Sequence, residues 1–149
     1  MVQNPPEGCP RVTPYLTYED ADRALEDLAK CFGFEQTTRL PGPDGRAAHA
    51  EMKTGGDGLI MLGAPGAEFG NPTTKGYTGA MVHVYVDDIE RHYETAKAAG
   101  AKITEELQYT FYGDRRYMAE DHAGHRWAFA EHVKDVAPED FGEWWKEEA

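Results

Sequence analysis

His49 and Glu51 stand two residues apart, as do His83 and Tyr85, and Arg115 and Tyr117. On a strand, that spacing puts both members of a pair on one face. An imidazole near a carboxylate has three uses. As base and orienter, His83 and Glu51 would move a proton near neutral pH. As two histidines and one carboxylate, His49, Glu51 and His83 would form a facial site for a transition metal. As a polar lining, the same groups hydrogen-bond a ligand or water. No nucleophile motif and no phosphate-binding loop accompanies them.

The elements that position these residues are best seen from the stretch Tyr112 to Phe129. It reads as two strands joined by the turn Asp121–Gly124, because Asp bonds nearby amides and Gly accepts positive φ. Trp127 and Phe129 share one face and require a hydrophobic layer, while Arg126, Ala128 and Ala130 share the other. Upstream, Val12 to Tyr18 is a strand, and Pro14 places it at a sheet edge or at a strand start. Asp20 caps a helix that runs to Phe32 and stops at Gly33. Its stripe is Ala21, Ala24, Leu25, Leu28 and Phe32. Strands follow over Phe34–Leu40, Ala47–Lys53 and Leu59–Leu62. After a Gly-rich segment the order returns. Met81–Val86 is a strand, Asp87-Asp88 starts a helix carrying Ile89, Tyr93 and Ala96 inward to Gly100, and Ala101–Gln108 precedes the closing hairpin.

A shift of 68 residues lays Asp20 on Asp88, Arg23 on Arg91, Glu26 on Glu94 and Gly45 on Gly113. With the matching element order, this reads as an internal duplication. The expected fold class is α+β, with two βαβββ modules in tandem whose curved mixed sheets surround a cleft, helices outside. The organisation is an arm (1–10), a first module (11–67), a linker loop (68–80), a second module (81–133) and an acidic aromatic tail (134–149). The tail predicts a helix opening at Pro138, with Phe141, Trp144 and Trp145 on one side. It lies either over its own domain or against a second subunit. By alternation the cleft carries Tyr15, Thr17, His49, Glu51, Met61, His83, Tyr85, Arg115, Tyr117, Arg126 and His132. Flat aromatics, adaptable thioethers and a few polar tips suit a small-molecule site, and Arg126 is placed to pair with Glu51.

The chain has 149 residues, 40% of them hydrophobic, with a formal charge of −12 and a pI of about 4.8. That content supports a core. No basic patch marks a nucleic-acid partner, and the acidity favours solubility or a cationic ligand. No apolar run approaches the roughly 20 residues of a membrane span. The N-terminus lacks the apolar centre of a signal peptide, so a cytoplasmic location is expected. Cys9 and Cys31 have no metal spacing, and Cys31, on the helix stripe, reads as an inert buried thiol.

Thr13-Pro14-Tyr15-Leu16 with Asp20, His49-Ala50-Glu51-Met52, Gly58 to Leu62, and the closing Tyr112-Gly113-Asp114-Arg115 with Asp121 to Trp127 resemble the vicinal oxygen chelate superfamily of glyoxalase I, extradiol dioxygenases and bleomycin resistance proteins. The resemblance runs from about residue 11 to 133 and is nearest to the small glyoxalase-like, bleomycin-resistance-like branch. His122-Ala123 departs from it, since a Pro commonly follows the Asp there, and a looser turn is expected. Metal-dependent members hold ligands at positions that fall here on Thr13, Met61, Met81 and Ala128. None of these binds a divalent ion of the Zn, Ni or Fe type, so no metal and no cofactor is expected. The resemblance implies a metal-free homodimer holding a small cationic or aromatic molecule, as an antibiotic-sequestering protein does. The alternative is a lyase- or isomerase-type enzyme of the same superfamily using His83 and Glu51, with or without a non-standard metal site.

Overall fold

The computed structural model describes residues 2–64 and 69–147. The expected boundary between first module and linker, at 67/68, lies outside the described residues, as do the last two residues of the tail. The first module contains β1 (Tyr15–Thr17), α1 (Ala21–Phe32), β2 (Glu35–Pro41), β3 (Ala47–Gly55) and β4 (Gly58–Gly63). After the short helix α2 (Pro72–Lys75), the second contains β5 (Met81–Tyr85), α3 (Ile89–Ala98), β6 (Lys102–Tyr109), β7 (Asp114–Glu120) and β8 (Arg126–His132). This is the expected α+β class, with two tandem βαβββ modules. The sheets are four-stranded and mixed, in the orders β1-β4-β3-β2 and β5-β8-β7-β6.

Local chemistry accounts for the boundaries. The Asp20 carboxylate accepts the Arg23 amide, and Gly33 closes α1 in the left-handed region at φ 73°. Asp88 repeats the cap for α3 by accepting the Arg91 amide. Pro14, which has no donor, immediately precedes β1 at the edge of its sheet. The five apolar residues of the α1 stripe are those the helix buries.

The duplication is visible in the register. Tyr15 lies opposite Met61, Leu16 opposite Leu62 and Thr17 opposite Gly63 in the first sheet. His83 lies opposite Ala128, Val84 opposite Phe129 and Tyr85 opposite Ala130 in the second. The shift of 68 thus holds for β1 onto β5, and it becomes 67 for β4 onto β8.

The modules meet through their helix-covered faces. Phe32 packs on Phe129 (ring centroids 4.7 Å) and Trp127 (5.8 Å), and Phe34 meets Trp127 edge-on at 5.3 Å. Asp121 fastens the junction by accepting the Tyr18 hydroxyl (2.7 Å) and the Trp127 indole (3.1 Å) on one oxygen. The amides of Ala123 and His125 donate to its other oxygen, each at 3.0 Å. At the departure from the family pattern, His122 stacks on Tyr18 (5.9 Å) and pairs with Asp27 (3.1 Å).

The cleft expected between the sheets is therefore not enclosed within one chain. α1 and α3 contact each other in the shared core, and the other face of each sheet is left open. Cys31 is half-buried beside the Ala99 carbonyl, and burial pushes its thiol up.

The tail is not the expected helix. It forms two 3₁₀ turns, Pro138–Asp140 and Trp144–Lys146, laid over its own domain. The Trp144 indole donates to the Thr110 carbonyl (2.9 Å), Trp145 stacks on Tyr109 (5.7 Å) and Phe141 meets Phe111 (5.2 Å). Two aromatics on the hairpin end hold the segment where a third helical turn would carry them away. The linker is tied down as well, since the Thr73 hydroxyl donates to the Ala123 carbonyl (3.0 Å).

Candidate functional site

Two open sheet faces carry the candidate residues. On the first, one row across the strands is Thr38, Glu51, Met61 and Tyr15, and the next is Leu40, His49, Gly63 and Thr17. The Tyr15 hydroxyl sits 3.0 Å from His49 Nδ1, which ties the rows together. Gly63 makes this possible. A Cβ there would lie 2.6 Å from the Tyr15 hydroxyl and 2.5 Å from the Ala48 carbonyl oxygen, so any side chain would displace the tyrosine.

On the second face the rows are Met81, Arg126, Glu120 and Lys102, then His83, Ala128 and Met118, then Tyr85, Ala130, Arg116 and Gln108. Ala128 and Ala130 form a floor under larger neighbours. His83 meets Tyr85 edge-on at 4.8 Å. Burial lowers the His83 imidazole below its ordinary value; Asp114 opposes this and Arg116 adds to it. The Tyr85 hydroxyl donates to buried Asp114 at 3.0 Å. Arg116 donates to the Tyr112 hydroxyl (3.1 Å) and to Glu105 (3.2 Å), leaving its buried Nε without a partner.

The structure thus brings Tyr15, His49, Glu51 and Met61 together on one face, and His83, Tyr85, Arg126 and His132 on the other. His83 is not beside His49 and Glu51 within one chain, and neither is Arg126 beside Glu51.

Arg115 and Tyr117 correct the expectation, because both point to the helix side. Arg115 pairs with Glu90 at the start of α3 and lies 4.8 Å over the Tyr109 ring. Tyr117 is fully buried against Phe129 (5.3 Å) and Tyr93 (5.1 Å). His92 Nε2 donates to the Phe32 carbonyl, so its Nδ1 accepts the Tyr117 hydroxyl at 2.6 Å, and burial pushes that phenol far up. The turn pairs Glu120 with Arg126, so even-numbered residues of β7 and β8 share the open face. The residues missed were Asp114, Arg116, Met118 and Glu120. The signal that finds them is this parity, together with the demand of Trp127 and Phe129 for aromatic company.

The donor chemistry does not fit the family's metal. Met61, Met81 and Ala128 line the open faces, with Thr13 just ahead of β1, and they offer two thioethers, a methyl and a hydroxyl. Among the described residues, no group of three or more His, Cys, Asp or Glu could hold a metal ion. No helix among them is long and apolar enough to cross a membrane.

A duplicated βαβββ fold with an open face on each sheet defines a class, and comparison with known proteins agrees. The chain belongs to the glyoxalase/bleomycin resistance protein/dioxygenase superfamily, whose family model matches residues 10–129. It is similar to Mb0911c of Mycobacterium bovis and Rv0887c of Mycobacterium tuberculosis. Each is 31% identical over 132 residues, spanning 85% of this chain and 86% and 77% of theirs. Among solved structures it resembles TioX from Micromonospora sp. ML1, with 34% identity, a TM-score of 0.68, and coverage of 86% of this chain and 100% of that one. A glyoxalase-related enzyme from Clostridium phytofermentans shares the fold at a TM-score of 0.64 and 12% identity, over 84% and 96% of the two chains.

Proposed function

We propose that this protein is a metal-free binding protein of the antibiotic-sequestering type, taking a small cationic or aromatic molecule in a cleft completed by a second copy of the chain. The observation that carries this reading is the exposure of flat and thioether side chains along both open faces. Tyr15 is 42% exposed, Met81 45% and Tyr85 61%, each flanked by polar tips. Apolar surface presented this way marks a binding surface, and aromatic faces attract cations. The net charge of −12 supports a cationic ligand. The donor set at Thr13, Met61, Met81 and Ala128 supports a metal-free site. Membership of a superfamily that includes bleomycin resistance proteins supports the sequestering role.

Native mass spectrometry of gently purified protein tests the assembly, and thermal unfolding with glycopeptide, mitomycin-like and aromatic antibiotics tests the ligand class. The expected result is a dimer whose melting temperature rises with the concentration of one compound class. A monomer at working concentration, with no shift across the panel, would overturn the reading.

One observation favours a second reading, a lyase or isomerase with His83 as base: the His83 imidazole stands on the open face, edge-on to the Tyr85 ring at 4.8 Å, where an imidazole can accept a proton from a bound molecule. Glu51 would then come from the other copy. On this reading His83→Ala and Glu51→Gln each abolish turnover without loss of fold, and turnover that survives both changes excludes it.

A further inference from the structure

The Asp114 carboxylate is buried, and it is shared. One oxygen accepts the Tyr85 hydroxyl from the open face, at 3.0 Å. The other lies 2.7 Å from His132 Nδ1, while His132 Nε2 lies 2.7 Å from Asp135 in the tail. Both ring nitrogens of His132 face carboxylate oxygens, which can only accept, so the geometry calls for an imidazolium. The same turn docks the tail twice more. Gly113 accepts the amides of Val133 and Lys134 (2.9 and 3.0 Å), and a Cβ there would lie 1.9 Å from the Lys134 carbonyl oxygen. Thr110 bonds the Asp114 backbone in both directions and accepts the Trp144 indole.

We propose that Asp114 is a positioning residue that couples Tyr85 on the open face to the C-terminal segment through His132 and Asp135. A ligand that engages the Tyr85 hydroxyl takes a donor from Asp114. The carboxylate then holds His132 more strongly, and with it the root of the tail. In the reverse direction, loss of the His132 proton removes one of its two carboxylate bonds, to Asp135 or to the Asp114 oxygen opposite the one that accepts from Tyr85, and so loosens the carboxylate that orients Tyr85.

The titratable and charged groups around the pair are Asp114 and Arg116 from β7, Tyr85 and His83 from β5, Asp135 from the tail, and Tyr112 from the turn. Asp135 and then Asp114 raise His132 above its ordinary value. With both carboxylates ionised, the link is therefore intact below the His132 value in the folded protein and is lost as pH rises through it.

The functional meaning rests on the binding-face reading, but the test uses no ligand, so the two can fail separately. NMR of the full chain would follow the His132 ring, the Tyr85 ring and the Trp144 indole across pH, with the Trp127 indole as the check on folding. One shared midpoint is expected for the first three. Tyr85→Phe moves the His132 midpoint up, and Asp135→Asn moves it down. Because Asp114→Asn risks misfolding, His132→Gln provides the second variant, in which the pH response of Tyr85 and Trp144 disappears. If Tyr85→Phe leaves the His132 midpoint unchanged, or if Tyr85 and Trp144 do not follow it, the coupling is wrong.

Discussion

Replacing Asp121 should be among the most costly single changes available in this chain. Its carboxylate serves four donors, and two of them, the Tyr18 hydroxyl and the Trp127 indole, belong to side chains that are essentially inaccessible to solvent. Asp121→Ala strands both. Each buried donor left without a partner costs about 1–3 kcal/mol. The Ala123 and His125 amides also lose their acceptor, and both residues are buried, so all four donors are counted at the low end of that range, about 1 kcal/mol each. The total is about 4 kcal/mol, a large share of a typical stability of about 5–15 kcal/mol. Asp121→Asn keeps one oxygen and the shape, so about 2 kcal/mol is expected, chiefly from an amide group set against the indole N–H. Urea unfolding followed by Trp fluorescence measures both. The Ala variant should shift the midpoint about twice as far as the Asn variant, with an unchanged slope. An Ala cost below about 1 kcal/mol, against the stranded-donor estimate, would refute the view that this carboxylate fastens the two modules.

Three further outcomes follow from the same geometry. Gly63→Ala should push Tyr15 off His49 and cost about 1–3 kcal/mol by overpacking; the His49 ring resonances and a denaturation curve report the two effects. His92 is lowered by burial, with its bond to the Phe32 carbonyl opposing, so below pH of about 6.5 the unfolded chain takes up a proton that the folded chain resists. Stability should therefore fall as pH drops through that value, and His92→Gln should flatten this part of the pH profile. Trp144→Ala removes the indole bond to Thr110 and a ring contact with Tyr109. It should speed tryptic cleavage at Lys134 while moving the global unfolding midpoint less than Asp121→Ala does.

The fold was legible because each local signal agreed with its neighbours. Asp20 and Asp88 cap, Gly33 stops a helix, Pro14 keeps β1 at an edge, and the α1 stripe is the buried stripe. The first open face was legible for the same reason, since Tyr15, His49, Glu51 and Met61 alternate with buried partners in short regular strands. The second was only half legible. Arg115 and Tyr117 obey the same period of two as Arg116 and Met118, so alternation defines two sets and the turn chooses between them. The tail misled because i, i+3, i+4 spacing serves a helix and a pair of tight turns alike, and only the aromatic hairpin end at Tyr109 and Phe111 decides. Asp114 was hidden for another reason. A carboxylate beside a glycine reads as turn chemistry, and nothing local to it announces Tyr85 or His132 as partners.

The way the modules join decides what the faces are free to do. Each module is too small to bury a full core alone, and this chain solves that by setting Phe32 and Phe34 of one module against Trp127 and Phe129 of the other. The apolar side of both sheets is consumed in that contact. What remains on each open face has no core to fill, and it carries polar tips on aromatic bodies. Substitutions on the open faces therefore have room to vary without unfolding the chain, whereas those at the junction do not. Such a division lets one scaffold keep its core while its faces change their chemistry. It also explains why the groups that tie face to core, Gly63 under Tyr15 and Asp114 behind Tyr85, are the ones whose replacement would disturb both.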